Sequence, residues 1–247
     1  MNRWILCAAL TLSSAASAQN APSLVDTYRS VSTLLADVVK NQMTAPNQSV
    51  SKLDAAEKQI GALTLESNVI KTGLTAALKN TRVAIVRTPA DLGAQVGQVK
   101  ALLQKAIYDG IFSQIAQNNK VTGIVYAGLL ADELKLSGTD RSALQEAINA
   151  GNNAAVQKSV EKAYLTRISS ALKKANDSKK NVAYQNLAAA TNDFTVIQDS
   201  PRAGELTFDD FVGALGYLTG GQVSAYQSQL GKINTNLAAF VQAAATP

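Results

Sequence analysis

The chain has 247 residues, of which 23 are Lys or Arg, 18 are Asp or Glu and none is His. Ser-His-Asp catalysis, Cys-His catalysis and most zinc or copper sites need an imidazole, so the absence of histidine excludes them. The formal net charge is +5, the basic residues are scattered among acids and only 5% of residues are aromatic, so the composition argues against a nucleic-acid-binding protein.

The first 18 residues have the pattern of a secretory signal peptide. A positively charged residue, Arg3, precedes a short apolar run and a small-x-small sequence that ends at Ala18. The apolar run is too short and wrongly flanked for a transmembrane segment. We therefore expect cleavage after Ala18 and export of residues 19–247, which would be periplasmic, associated with the cell envelope or secreted. The only cysteine, Cys7, is lost with this segment, so no disulfide is expected.

Apolar residues recur every three or four positions along most of residues 19–247, which is the pattern of amphipathic helices. The only β-branched run, residues 82–87, is interpreted as the end of a helix, with an extended segment as the alternative. The sequence thus predicts an all-α, multi-helix bundle without a sheet. We expect one domain, or two packed sub-bundles that divide near residues 118–138. The predicted helices are 23–43, 49–63, 67–86, 89–117, 121–136, 139–151, 153–175, 182–197, 208–218 and 222–244.

Capping residues and apolar content give more specific expectations for individual helices. Thr88 is a suitable N-cap, with Pro89 at the first helical position. Ser49 and Thr139 are expected to cap the second and the sixth helix. The helix over residues 121–136 contains a long, uncharged and mostly apolar stretch, so it is expected to be the most buried.

Two pairs of glycines, Gly93 with Gly97 and Gly216 with Gly220, lie four residues apart on predicted helices. This spacing predicts a close approach of a neighbouring helix at each pair. Several tyrosines fall on the apolar stripes and are expected in the core. These tyrosines are Tyr28, Tyr126, Tyr164 and Tyr226.

Residues 199–211, DSPRAGELTFDDF, fit two different local structures. The segment resembles the loop of the EF-hand family: Asp199 occupies loop position one, Gly204 position six and Asp210 position twelve. The resemblance implies Ca²⁺ binding by Asp199, Thr207 and Asp210. Positions three and five lack a side-chain oxygen, so the implied site is weak.

The alternative for this segment is a turn followed by a capped helix. Gly204 would turn the chain, Thr207 would cap the helix, and Asp209 and Asp210 would lie favourably near its positive end. The cap explains the same residues without a ligand. We therefore expect no cofactor, with weak Ca²⁺ binding as the alternative.

The function is approached by elimination, since the sequence displays no phosphate loop, convincing metal cluster or convergent acids. We expect an exported, soluble, non-enzymatic binding or scaffold subunit with a protein partner in the cell envelope; the oligomeric state is left open. A periplasmic holdase-type chaperone would need a contiguous exposed apolar patch. A carrier of an apolar ligand would need a large apolar cavity. An enzyme that uses Asp, Glu, Lys, Tyr or Ser would need a cleft with two converging acids.

Overall fold

The structure is a computed structural model that describes residues 23–176 and 179–245. Those residues form ten α-helices and no strand, which confirms the predicted all-α fold. The predicted signal peptide, residues 1–18, lies outside the described residues. The helices are α1 (Leu24–Asn41), α2 (Pro46–Gly61), α3 (Asn68–Ala84), α4 (Pro89–Ala116), α5 (Lys120–Leu134), α6 (Gly138–Asn149), α7 (Asn153–Ala175), α8 (Lys180–Ile197), α9 (Phe208–Thr219) and α10 (Val223–Ala245).

The longest helix, α4, lies at the centre of the packing. It contacts α1, α3, α5 and α8, and α8 in turn packs on α7 and α9. One continuous cluster of buried apolar side chains extends through these contacts, from Val25 on α1 to Ala244 on α10. Within the described ranges, no helix has both the length and the apolar character needed to cross a membrane.

The observed caps confirm one of the predicted helix starts and correct two. The Thr88 hydroxyl accepts a hydrogen bond from a first-turn amide, and Pro89 opens α4 as predicted. Ser49 is not a cap, because α2 begins earlier, at Pro46; its buried hydroxyl instead donates to the Val38 carbonyl at 2.8 Å. Thr139 is not a cap either, because Ser137 already caps α6 two residues earlier.

The prediction that residues 121–136 form the most buried helix is wrong. On α5, Val121 is 76% exposed and Val125 is 48% exposed, so one face of this apolar helix lies in solvent. The most buried stretch is instead the second half of α8, where nearly every residue from 190 to 197 is buried. This half of α8 is covered because α8 packs against α4, α7 and α9. The apolar content of a helix does not reveal how many neighbouring helices cover it, which is why the prediction for α5 failed.

The close approach predicted for the glycine pairs occurs at Gly97. A Cβ atom at Gly97 would lie 2.4 Å from Asn192 Nδ2, whereas one at Gly93 or Gly216 would meet no atom within 4 Å. A Cβ at Gly220 would meet only the turn that ends its own helix. The predicted tyrosines are in the core, except that Tyr126 is half-buried, and residues 82–87 form a helix end and a turn, as predicted.

Candidate functional site

Residues 199–211 were predicted to be either a cation-binding loop or a turn followed by a capped helix. The structure contains the helix cap. The Thr207 side chain accepts from the Asp210 amide, and the Thr207 amide donates to Asp210 Oδ2 at 3.0 Å, which together form a capping box at the start of α9. Gly204 has a φ of +58°, a left-handed conformation that glycine adopts without strain. The second half of the loop is therefore a turn and a capped helix.

Each carboxylate predicted to bind the cation is paired with a lysine. Asp210 Oδ1 lies 2.7 Å from Lys232 Nζ, and Asp199 Oδ2 lies 2.9 Å from Lys105 Nζ, which also binds Asp109 at 2.7 Å. Burial raises the pKa of Asp210, but the bonds from Lys232 and Thr207 outweigh it and lower the pKa below its usual value. Among residues 23–176 and 179–245, no group of three acidic, His or Cys side chains is placed to hold a metal ion. Calcium binding by Asp199, Thr207 and Asp210 stays a prediction.

A cleft of about 380 Å³, here called the α4–α8 cleft, runs along the seam between these two helices. Small residues recur at every third or fourth position on its α4 side, so the helices leave space between them. Asn192 on α8 bridges the seam, because its Nδ2 donates to the Ala94 carbonyl at 3.2 Å. The small residues that line the cleft are Ala90, Gly93, Ala94, Gly97, Ala101 and Ala189.

Four charged side chains from four helices meet in the α4–α8 cleft: Lys100 of α4, Glu133 of α5, Arg167 of α7 and Asp193 of α8. Arg167 and Asp193 form a two-pronged ion pair, with Nε–Oδ2 at 3.0 Å and Nη2–Oδ1 at 2.9 Å. Lys100 Nζ and Glu133 Oε2 are 4.0 Å apart, at the outer limit of an ion pair. The four formal charges sum to zero, so the cleft offers both signs of charge.

The two ion pairs differ in geometry and in the burial of their acidic members. The Asp193 side chain is only 9% exposed, and burial raises its pKa to about 6 although Arg167 acts in the opposite direction. The side chains of Lys100 and Glu133 are 34% and 32% exposed. The Arg167 side chain is 42% exposed, so the pairs differ in geometry and in the burial of their acids: Asp193 is buried in a two-pronged pair with Arg167, whereas Lys100 and Glu133 are loosely paired and both partly exposed.

Behind the charges, a buried hydrogen-bond network joins α1, α4 and α7. Gln104 Nε2 donates to the Tyr28 hydroxyl at 2.8 Å, and the Tyr164 hydroxyl donates to Gln104 Oε1 at 3.2 Å. Burial raises the pKa of both phenols. The negative charge of Glu133 raises the pKa of Tyr28 further, and that of Asp193 raises the pKa of Tyr164 further. Both phenols therefore stay protonated at neutral pH, and the network gives the cleft a rigid polar floor.

This arrangement is better suited to binding than to acid–base chemistry. Two acids, Glu133 and Asp193, line one cleft, which is the feature that the enzyme alternative required. Both Asp193 oxygens, however, accept from Arg167, so this carboxyl group is oriented toward Arg167 and away from the role of a free general base. Glu133 faces Lys100 and approaches Gln104 Nε2 at 3.5 Å.

Sequence reasoning missed the residues of the α4–α8 cleft. The available indication was a polar residue at a buried position of an apolar helix, which describes Gln104 (6% exposed) and Asp193 (6% exposed). Glu133 follows Asp132 in the sequence, but neighbours on a helix point in different directions, and Asp132 instead pairs with Arg141. Comparisons of the chain with protein-family models, curated proteins and solved structures found no match.

Proposed function

We propose that this protein is an exported, non-enzymatic binding protein whose ligand is a small zwitterion held in the α4–α8 cleft. The observation that carries the proposal is the loose pair of Lys100 and Glu133, 4.0 Å apart and each about one-third exposed. An exposed pair of this kind contributes little free energy, so a ligand can replace it at small cost. The ligand's anionic group would bind Lys100 and its cationic group Glu133, through stronger charge-assisted hydrogen bonds.

The size and the walls of the cleft support a ligand of amino-acid or dipeptide size. A volume of about 380 Å³ is at the small end of the roughly 300–1,000 Å³ that ligand sites occupy. The small residues on α4 leave room for the ligand's backbone or methylene groups. The fixed pair of Arg167 and Asp193 orients polar groups without a change of conformation, which favours binding by a preorganised site.

The cellular context is part of the proposal. Export rests on the signal-peptide pattern of residues 1–18. A binding protein outside the cytoplasm would act on solutes of the envelope or the medium, together with a protein partner in the envelope.

The test is isothermal titration calorimetry of the purified protein with amino acids, betaines and dipeptides, each compared with analogues that carry only one charge. We expect zwitterions to bind, and Lys100→Gln or Glu133→Gln to weaken the affinity at least tenfold. The matched controls are Lys79→Gln and Glu146→Gln, which remove the same charges from exposed positions on α3 and α6. Failure of every zwitterion to bind, or equal affinity in the cleft and control variants, would refute the proposal.

A further inference from the structure

A second groove, of about 670 Å³, lies between α7 and α10 and shares no lining residue with the α4–α8 cleft. The two helices run antiparallel. At one end the Tyr226 hydroxyl donates to the Ala175 carbonyl, and at the other end Lys158 Nζ donates to the Ala245 carbonyl at 3.3 Å. These contacts fix the spacing of the helices on both sides of the groove, which we call the α7–α10 groove.

The floor of the α7–α10 groove is apolar. Leu165 and Ala244 lie at its base, where they are 2% and 5% exposed. Val241 lies at its edge and is 42% exposed. Of these three side chains Val241 is the one in contact with water, and an apolar chain that covered it would be favoured by the hydrophobic effect.

The rim of the α7–α10 groove is basic. Lys158, Lys162 and Lys173 line it from α7, together with the hydroxyl groups of three residues on the same helix, and no acidic side chain among residues 23–176 and 179–245 lines it. Within the described ranges, no carboxylate lies within 4.0 Å of the ammonium group of Lys162 or Lys173. The hydroxyl groups belong to Thr166, Ser169 and Ser170.

We infer that the α7–α10 groove binds a single-chain anionic amphiphile, such as a free fatty acid. The acyl chain would cover Val241, and the carboxylate would bind Lys162 or Lys173 with help from the neighbouring hydroxyls. The lining residues of α7 extend from Lys158 to Lys173, a rise of about 22 Å along the helix, which suits an extended acyl chain.

The inference predicts both a charge dependence and a chain-length dependence. In calorimetric titrations below the critical micelle concentration, decanoate should bind one to one. Each additional buried methylene should strengthen binding roughly fourfold from octanoate to dodecanoate. Decyltrimethylammonium, which has the same chain and the opposite charge, should bind at least tenfold more weakly than decanoate.

Variants distinguish this groove from other surfaces of the molecule. Lys162→Gln combined with Lys173→Gln should weaken decanoate binding at least tenfold, while Lys79→Gln on α3 and Lys100→Gln in the α4–α8 cleft should leave it unchanged. Ser169→Glu, which places a negative charge in the groove, should also weaken it. Circular dichroism confirms that each variant is folded. The inference is overturned if the cationic amphiphile binds as well as decanoate, if the double variant binds normally, or if only anionic phospholipid vesicles bind and decanoate does not.

Discussion

The substitution Gln104→Met tests whether the buried network of Tyr28, Gln104 and Tyr164 stabilises the fold. Gln104 is 6% exposed, and its amide bonds both phenols, one from α1 and one from α7. Methionine has a similar length and flexibility but cannot replace either hydrogen bond. The substitution therefore removes polar partners with little change of volume.

The expected magnitude follows from the burial of the two phenols. Tyr164 is fully buried and Tyr28 is 1% exposed, and a buried polar group that loses its partner costs about 1–3 kcal/mol. The Tyr28 hydroxyl lies near the Glu133 carboxylate, which contributes to its raised pKa, so Tyr28 keeps a polar neighbour. We therefore expect the larger share of the cost at Tyr164, and a total decrease of about 2–4 kcal/mol in the free energy of unfolding.

The assay is urea unfolding followed by far-ultraviolet circular dichroism. The triple variant Tyr28→Phe, Gln104→Met, Tyr164→Phe should recover most of the loss, because replacing both partners by apolar groups is nearly neutral. Gln227→Met, at an exposed position of α10, controls for the effect of methionine itself. A loss below 1 kcal/mol for Gln104→Met, or a triple variant less stable than the single one, would show that the network does not act as argued.

Four further variants test other parts of the structure by the same unfolding assay. Gly93→Ala should raise the free energy of unfolding by about 0.5–1 kcal/mol, because the new Cβ enters open space on a helix. Gly97→Ala should lower the free energy of unfolding, because the new Cβ collides with Asn192. Equal effects of the two substitutions would refute the close packing of α4 and α8 at Gly97. The pKa of about 6 for Asp193 exceeds the value of 3.8 for an unperturbed carboxyl. As the pH falls, the native state therefore takes up this proton before the unfolded state does. Relative to Asp193→Asn, the free energy of unfolding should rise by about 2–3 kcal/mol from about pH 7 to about pH 4, and a fall would contradict the raised pKa. Thr207→Ala should cost about 1 kcal/mol through loss of the α9 cap, whereas an unchanged stability would argue against the capping box.

The helical fold was predictable because its determinants are local in the sequence. The apolar period and the flanking polar residues placed α7 at residues 153–175, which is where the structure has it. Errors arose where two candidate starts lie within one turn of each other. Helix α2 starts at Pro46, after Ala45, and not after Ser49, and α6 is capped by Ser137 and not by Thr139. The local sequence does not decide which of two nearby residues becomes the N-cap.

The α4–α8 cleft was not predictable, because it depends on contacts between helices that are distant in the chain. The spacing of apolar residues shows which face of a helix is buried but not which helix covers it. Arg167 and Asp193 lie on α7 and α8, and Lys100 and Glu133 lie on α4 and α5. Lys100, Glu133 and Arg167 each resemble an ordinary solvated charge. Asp193 alone falls at a buried position of its helix, and only the packing of the helices brings the four together.

The cation loop, residues 199–211, shows the same limit for a site that the sequence did suggest. Its acids lie at the spacing that the EF-hand resemblance requires, but the sequence of the loop does not show where their counter-charges come from. In the structure these are the ammonium groups of Lys105 and Lys232, which belong to α4 and α10. Lys105 is 6% exposed, and a buried ammonium group is stable only beside carboxylates. A cation that bound Asp199 would therefore have to displace Lys105 from one of its two acids, so any affinity of this loop for Ca²⁺ is reduced by the cost of breaking that ion pair.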